Sequence, residues 1–436
     1  MDLATAGQTS AQAKPTAKQM AQRRILFVHQ NYPGQFRHLA PALAQQGWEV
    51  RALRQGAGAS QQPLRAELQG VPLLGWQAQR GTTLEAHPWI HDSETKLIRA
   101  EAAAIACEQL ARQGWHPDLI VGHPGWGELL FLQHIWPDVP QLHFLEFHYA
   151  ARGLDVGFDP EFPAGSWRDA ARVTAKAGPS LLNLEVMAAG VSPTHFQAST
   201  YPGWAQKRIT VIHDGIDTRV ATPNPGAQLQ LGAGGPVLRP GDPVISFVNR
   251  NLEPYRGYHR LMRALPEIQR RCPEAITVIV GGDGVSYGAP PPTGQSWKQI
   301  FLEEVGGELD LQRVVFTGHL PYASYLALLQ VSACHVYFTY PFVLGWSCLE
   351  AMAAGALVVG SATPPVQEVI EHGRNGLLVE FFDQQALVAA VCEALQQPER
   401  FIELRAEAHR TVETRYCLQS VCLPGQIQLV NSLVAG

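Results

Sequence analysis

What this chain of 436 residues lacks narrows its chemistry before any motif is read. It has no basic excess: 33 lysines and arginines against 38 aspartates and glutamates leave a formal net charge of −5. General attraction to nucleic acid or to a membrane surface is therefore not its business. No apolar run approaches the roughly 18 residues that a membrane span needs. The seven cysteines form no CxxC pair and read as reduced cytosolic thiols packed in cores. Sixteen histidines are present without an HxH, HExxH or Cys/His cluster, so no metal site is expected. Residues 1–23 lack the apolar centre of a signal peptide and are expected to be a solvated leader. At most the cations Lys14, Lys18, Arg23 and Arg24 would give it a peripheral contact with an anionic membrane face.

What is there is a globular composition, 46% hydrophobic and 16% charged, on a chain longer than one core usually supports. From Arg24 short apolar runs alternate with amphipathic stretches. Ile25–His29 suits a buried parallel strand; Phe36, Leu39, Ala40, Leu43 and Ala44 then line one helix face; Glu49–Leu53 is the next strand. A long helix is expected around Leu97–Arg112, and strands at Asp118–Gly122 and Gln141–His148. Residues 219–243 are dense in glycine and proline and read as a linker. Beyond it strands are expected at Val244–Asn249, Ile276–Gly281, Val314–Thr317, His335–Thr339, Ala356–Gly360 and Gly376–Val379. The pattern predicts two doubly wound α/β domains, 24–218 and 244–403, facing a cleft, with a helical segment over 404–436 crossing back to the first.

Ligands of open parallel sheets sit beyond the carboxyl ends of the strands. The informative residues in the first half are therefore His29 to Gly34, His123 to Gly127, Glu146 and His148. In the second they are Arg250 to Gly257, Gly281 to Gly284, Thr317-Gly318-His319 and Tyr340 to Trp346. Arg250 and Arg256 flank a proline-bearing turn and could grip a diphosphate, or simply pair with Glu253. Gly282 lies in a glycine-rich turn that admits a ligand or merely turns the chain. A helix starting near Gly345–Ser347 would offer free N–H groups to an anion. Ser347 and Glu350 equally fit a capping box. His148, expected on the strand face of Glu146, is the histidine retained as an acid/base candidate.

Together these segments resemble the retaining glycosyltransferases of family 4, of GT-B fold, over nearly all of 24–425. The likeness is carried by FVNRNLEPYRG, VIVGGDG, VVFTGHL, LEAMAAGALVVGS and VQEVIEHGRNGLLV; HQNYPGQFRHLAPALA and FDPEFP resemble a bacterial subgroup. The resemblance implies two Rossmann-like domains, with a nucleotide diphosphate sugar held mainly by the second. It puts Arg250 on the diphosphate, Arg256 where the family has lysine, Glu350 on the donor ribose, and His148 near the transferred sugar. Gly34 would pack against phosphate or acceptor. Gly282, Gly318, Phe342, Leu344, Gly345, Trp346 and Ser347 would complete the donor site, and Glu146 and Glu161 would face the acceptor. One departure stands out: Phe342 occupies the place of the family's first motif glutamate. It either borders the sugar pocket and helps choose the donor or turns inward as core.

The implied reaction is metal-independent, cofactor-free transfer to a glycan, lipid-linked or protein acceptor in the cytoplasm, the leaving phosphate helping to deprotonate the acceptor. Two alternatives remain: a catalytically silent nucleotide-sugar-binding subunit, and a non-hydrolysing epimerase, for which no carboxylate pair is assignable.

Overall fold

The computed structural model describes residues 22–56, 67–68, 70–232 and 234–434, so the leader, but for Gln22 and Arg23, lies outside the described residues. The first domain is built on an eight-stranded sheet of β1 (Arg24–Val28), β2 (Glu49–Gln55), β3 (Glu67–Leu68), β4 (Val71–Trp76), β5 (Leu119–Gly122), β6 (Gln141–Phe144), β7 (Ala189–Ser192) and β8 (Ile209–Val211), in the order β3-β4-β2-β1-β5-β6-β7-β8. All neighbours are parallel except β3 against β4. β1 is central, and its Ile25, Leu26, Phe27 and Val28 are wholly buried, which is why that run is apolar without alternation. Helices His91–Arg112 and Trp167–Val186 pack beside each other on this domain. The helix expected from Phe36 divides into a 3-10 turn, Gly34–Phe36, and a helix, Leu39–Gln45.

The stretch 219–243 is no plain linker. It holds a small antiparallel hairpin, β9 (Leu229–Gln230) with β10 (Val237–Leu238), whose Leu229 and Leu238 join Val278, Val280 and Leu328 in one apolar cluster. Glycine and proline mark the turns; Leu229, Leu231, Leu238 and Ala227 supply the burial. The second domain is a six-stranded parallel sheet of β11 (Val244–Asn251), β12 (Ile276–Gly282), β13 (Val314–Gly318), β14 (Cys334–Tyr337), β15 (Leu357–Ser361) and β16 (Leu377–Val379), in the order β13-β12-β11-β14-β15-β16. All seven cysteines are buried and unpaired.

Three connections tie the halves. Ile216 bridges to Cys417, and the final helix, Leu423–Leu433, lays Ile427, Val430 and Leu433 on the first domain's core. Glu368 of the second domain accepts from the N–H groups of His195 and Phe196, at 2.7 Å each, capping a short helix of the first. On the other side, a strap between β6 and helix Trp167–Val186 reaches into the second domain. Phe158 packs on Tyr340, Phe381 and Phe382, and Phe162 on His259 and Trp297. Asp159 accepts from His259 Nε2 (3.0 Å) and the Tyr340 hydroxyl (2.9 Å), and Asp155 from the Tyr255 hydroxyl.

Candidate active site

At the carboxyl edge of the second sheet the chain leaves β11 through Arg250, which is exposed, and turns over Pro254–Arg256. Gly257 closes the turn at φ +72°, with Phe338 so near that a Cβ would collide with it. The turn buries Arg256. Its Nη1 donates to Thr339 Oγ1 (2.8 Å) and to the Val343 carbonyl (2.7 Å), and the guanidinium lies 5.0 Å from the Tyr287 ring. Neither arginine pairs with Glu253. That buried carboxylate instead accepts from the N–H groups of Ser286, Tyr287 and Gly288, so it shapes the loop after β12. Among the described residues neither arginine has a carboxylate partner. Gly282 and Gly318 frame this edge: a Cβ on Gly282 would meet Asn251 Oδ1 and His319 Cε1 at 2.7 Å, whereas the Gly318 position is open.

The capping box does not form. Helix Trp346–Ala354 begins two residues earlier than the box requires, Gly345 is its cap, and no side chain caps it. Ser347 therefore sits inside the first turn, and the Gly345 N–H donates to the Tyr337 hydroxyl at 2.6 Å. Glu350 is buried and accepts from the hydroxyls of Tyr322 (2.9 Å) and Tyr325 (2.6 Å), on the neighbouring helix Tyr322–Val331. Leu344 is core. Trp346 donates its indole N–H to Asp214 Oδ2 at 2.7 Å, and Arg37 lies over its ring at 4.6 Å. Burial pushes the Asp214 carboxyl up to about 7 despite that bond, with the nearby Glu146 charge adding to the rise.

Phe342 is 2% exposed. Its ring packs on Phe147 (4.7 Å) and Tyr149 from the first domain and on Tyr287 (5.0 Å) and Tyr255 from the second, with Arg256 5.5 Å away. An aromatic box spanning the cleft thus stands beside the buried guanidinium.

Across from it, β1, β5 and β6 are consecutive neighbours, which sets His29, His123 and Glu146 side by side along the first sheet's edge. Gly34, at φ +46°, lies so close to His29 that a Cβ would come within 2.5 Å of the ring. His29 Nε2 pairs with Gln35 Oε1 (2.9 Å), and burial, with His123 beside it, takes its pKa down to about 3. Burial opposes the charge of Glu146, but His123, Arg250 and Arg256 outweigh it and hold the carboxyl below its ordinary value. His148 is not on a strand with Glu146, since β6 ends at Phe144; its ring lies 5.6 Å from Tyr201 and burial lowers its pKa. Glu161 stands apart from this edge. Arg263 grips both its oxygens (2.6 and 2.7 Å) within the strap and also binds Glu304. Ligating atoms of Asp159, Glu161 and His259 come within 4.8 Å of one another, yet each of these residues already has a protein partner.

Sequence reasoning had no hold on Tyr322, Tyr325, Asp214 or the strap's polar partners. The tyrosines stand three apart on one helix, and FDPEFP packs acids between aromatics in a non-periodic stretch; both are visible signals, but neither names a partner.

Residues 46–221 match the Glycosyl transferase family 4 group, and residues 236–412 match Glycosyl transferases group 1. The glycogen synthase of Mycobacterium tuberculosis is 31% identical over 209 residues, 48% of this chain and 44% of that one, so the chain spans less than half the length of this relative. A D-inositol 3-phosphate glycosyltransferase of Rhodococcus jostii is 24% identical over 85% of this chain and 78% of its own. Among solved structures, the sucrose-phosphate synthase of Thermosynechococcus elongatus superposes with a TM-score of 0.71 at 20% identity, over 95% of this chain and all of that one. Anabaena HepE in complex with UDP and glucose gives 0.62 at 18%, over 94% and 100%. At these identities the likeness to the solved structures is one of fold.

Proposed function

The chain belongs to the family 4 glycosyltransferases of GT-B fold, and we propose that it moves a sugar from a nucleotide diphosphate donor to a glycan, lipid-linked or protein acceptor, in the cytoplasm, with retention and without a metal. One observation carries the reading: Arg256 is buried at the cleft edge with no carboxylate partner, and Arg250 stands exposed beside it. A buried cation with no carboxylate in ion-pair contact is costly, and a donor diphosphate supplies that contact. As the sugar–phosphate bond breaks, negative charge grows on the leaving group, where both guanidiniums and the start of helix Trp346–Ala354 oppose it. Front-face attack then delivers the acceptor hydroxyl, its proton passing to the leaving phosphate. Glu350 would hold the ribose, with Tyr322 giving way to a ribose hydroxyl. His148 would lie near the transferred sugar, and the Phe342 box would set which sugar fits.

UDP, GDP and ADP are the probes. One of them should raise the melting temperature by several degrees with EDTA present, because a ligand that binds only the folded chain stabilises it. Donor turnover should survive the chelator. Loss of both binding and turnover in EDTA, restored by magnesium, would overturn the metal-free reading. The apolar ring of Phe342 in the place of a motif glutamate favours a second reading, a nucleotide-sugar-binding subunit without transfer. Such a subunit would bind the diphosphate and show no donor hydrolysis.

A further inference from the structure

We propose that Glu146 and His123 together form a binding site for a neutral hydroxyl of the acceptor, directly across the cleft from the arginines; this rests on the donor reading above. The His123 ring is fixed by its other nitrogen. Nδ1 accepts from the Gly125 N–H at 3.0 Å, which puts the ring's N–H on Nε2. That N–H is buried with no hydrogen-bond partner, and the nearest acceptor, Glu146 Oε2, is 3.6 Å away, beyond bonding range. An orphaned donor at a sheet edge calls for a ligand atom. Glu146 answers it with the opposite function, since its side chain stays 40% exposed to the cleft. A donor and an acceptor so placed suit a hydroxyl, which accepts a hydrogen bond from Nε2 and donates one to the carboxylate.

The surroundings narrow the class. Trp126 stacks on His123 with ring centres 4.2 Å apart and meets His29 edge-on at 4.5 Å, while remaining partly exposed. An indole beside a hydroxyl site is what the C–H face of a pyranose packs against. The Glu146 carboxylate repels anions at this position, so the ring bound here carries hydroxyls and no phosphate. The acceptor end is therefore a neutral sugar or polyol. No bond is made or broken by the pair; it orients the attacking oxygen.

The test uses the full chain, its nucleotide sugar donor and two variants. Water takes the acceptor's place during donor hydrolysis, and methyl glucoside and methyl mannoside serve as neutral sugar probes. His123→Asn keeps an oxygen for the Gly125 N–H but removes the Nε2 proton; Glu146→Gln keeps the shape and removes the charge. The expected result is at least a ten-fold fall in donor hydrolysis for each variant and loss of any acceleration by the glycosides. Affinity for the member of the UDP, GDP and ADP panel that binds should hold in His123→Asn. It should tighten a few-fold in Glu146→Gln, since a carboxylate facing the diphosphate arginines is gone. Unchanged hydrolysis in both variants while that diphosphate still binds overturns the pair alone. Loss of diphosphate binding in both also overturns it, because the pair would then be structural. No diphosphate binding by the parent chain overturns the donor reading and the pair with it.

Discussion

Arg256 shows how much a single side chain is asked to do. Its Nη1 already serves Thr339 and Val343, so truncation removes a cation and leaves one buried and one half-buried acceptor unpaired. Arg256→Ala should cut kcat of donor turnover by about 10²–10³, as loss of one preorganised donor does, and raise donor KM far less. Arg256→Lys should recover part of the rate, because a lysine restores charge and one bond but not the fork. Equal kcat in both variants would show that geometry alone matters. Phe342→Leu should keep nucleoside diphosphate affinity within a few-fold while changing the order in which donor sugars are hydrolysed; an unchanged order would make the ring packing only. The sequence showed where these side chains stand, since each follows a strand. It could not show what they bond. Ser347 and Glu350 satisfy the capping pattern, but the helix takes Gly345 as its cap, and two tyrosines on another helix claim the glutamate. Glu253 looked like a counter-ion to its arginine neighbours and is instead spent on three backbone N–H groups brought by a different loop.

At the scale of elements, the parallel strands were the most legible, because burial on both faces demands unbroken apolar runs such as Ile25–Val28. Short edge strands such as β8 and the hairpin β9–β10 escaped notice. Their periods span too few residues to register, and glycine and proline around them mimic a linker. The strap was the least legible element, because its partners lie a whole domain away in sequence. Asp159 makes it testable. It holds a buried histidine and a buried tyrosine together, and each left unpaired costs about 1–3 kcal/mol. Asp159→Ala should lower the melting temperature by several degrees and raise hydrogen exchange in the Tyr340–Trp346 loop. Asp159→Asn, which still accepts from Tyr340, should recover much of both. If exchange rises only at the strap itself, the strap does not brace the donor loop.

The whole molecule carries an unusual proton balance. Burial holds His29, His143 and His335 near 3 and His213 near 4, so all four stay neutral in the folded chain but charge below about 6.5 when unfolded. Burial also lifts Glu128 and Asp214 to about 7, so these two keep protons in the folded chain that the unfolded chain releases. Around pH 5.5 these six groups thus bind nearly four protons in the unfolded chain against two in the folded one. Stability should therefore decrease as the pH is lowered below about 6.5, with a slope that approaches roughly 3 kcal/mol per unit near pH 5.5. Urea midpoints at pH 7, 6 and 5.5 would measure it, and a flat profile would show that the buried histidines charge in place. The strap has another consequence, for the order in which the protein can be made. Residues 155–162 leave the ribosome before Tyr255, His259 and Tyr340 exist, and helix Leu423–Leu433, which covers the first core, is made only after the whole second sheet. Domains ordinarily complete themselves in the order of synthesis. Here the first must wait for helix Leu423–Leu433, with Phe158 and Phe162 uncovered meanwhile, and a chain cut short before that helix leaves the first half unfinished.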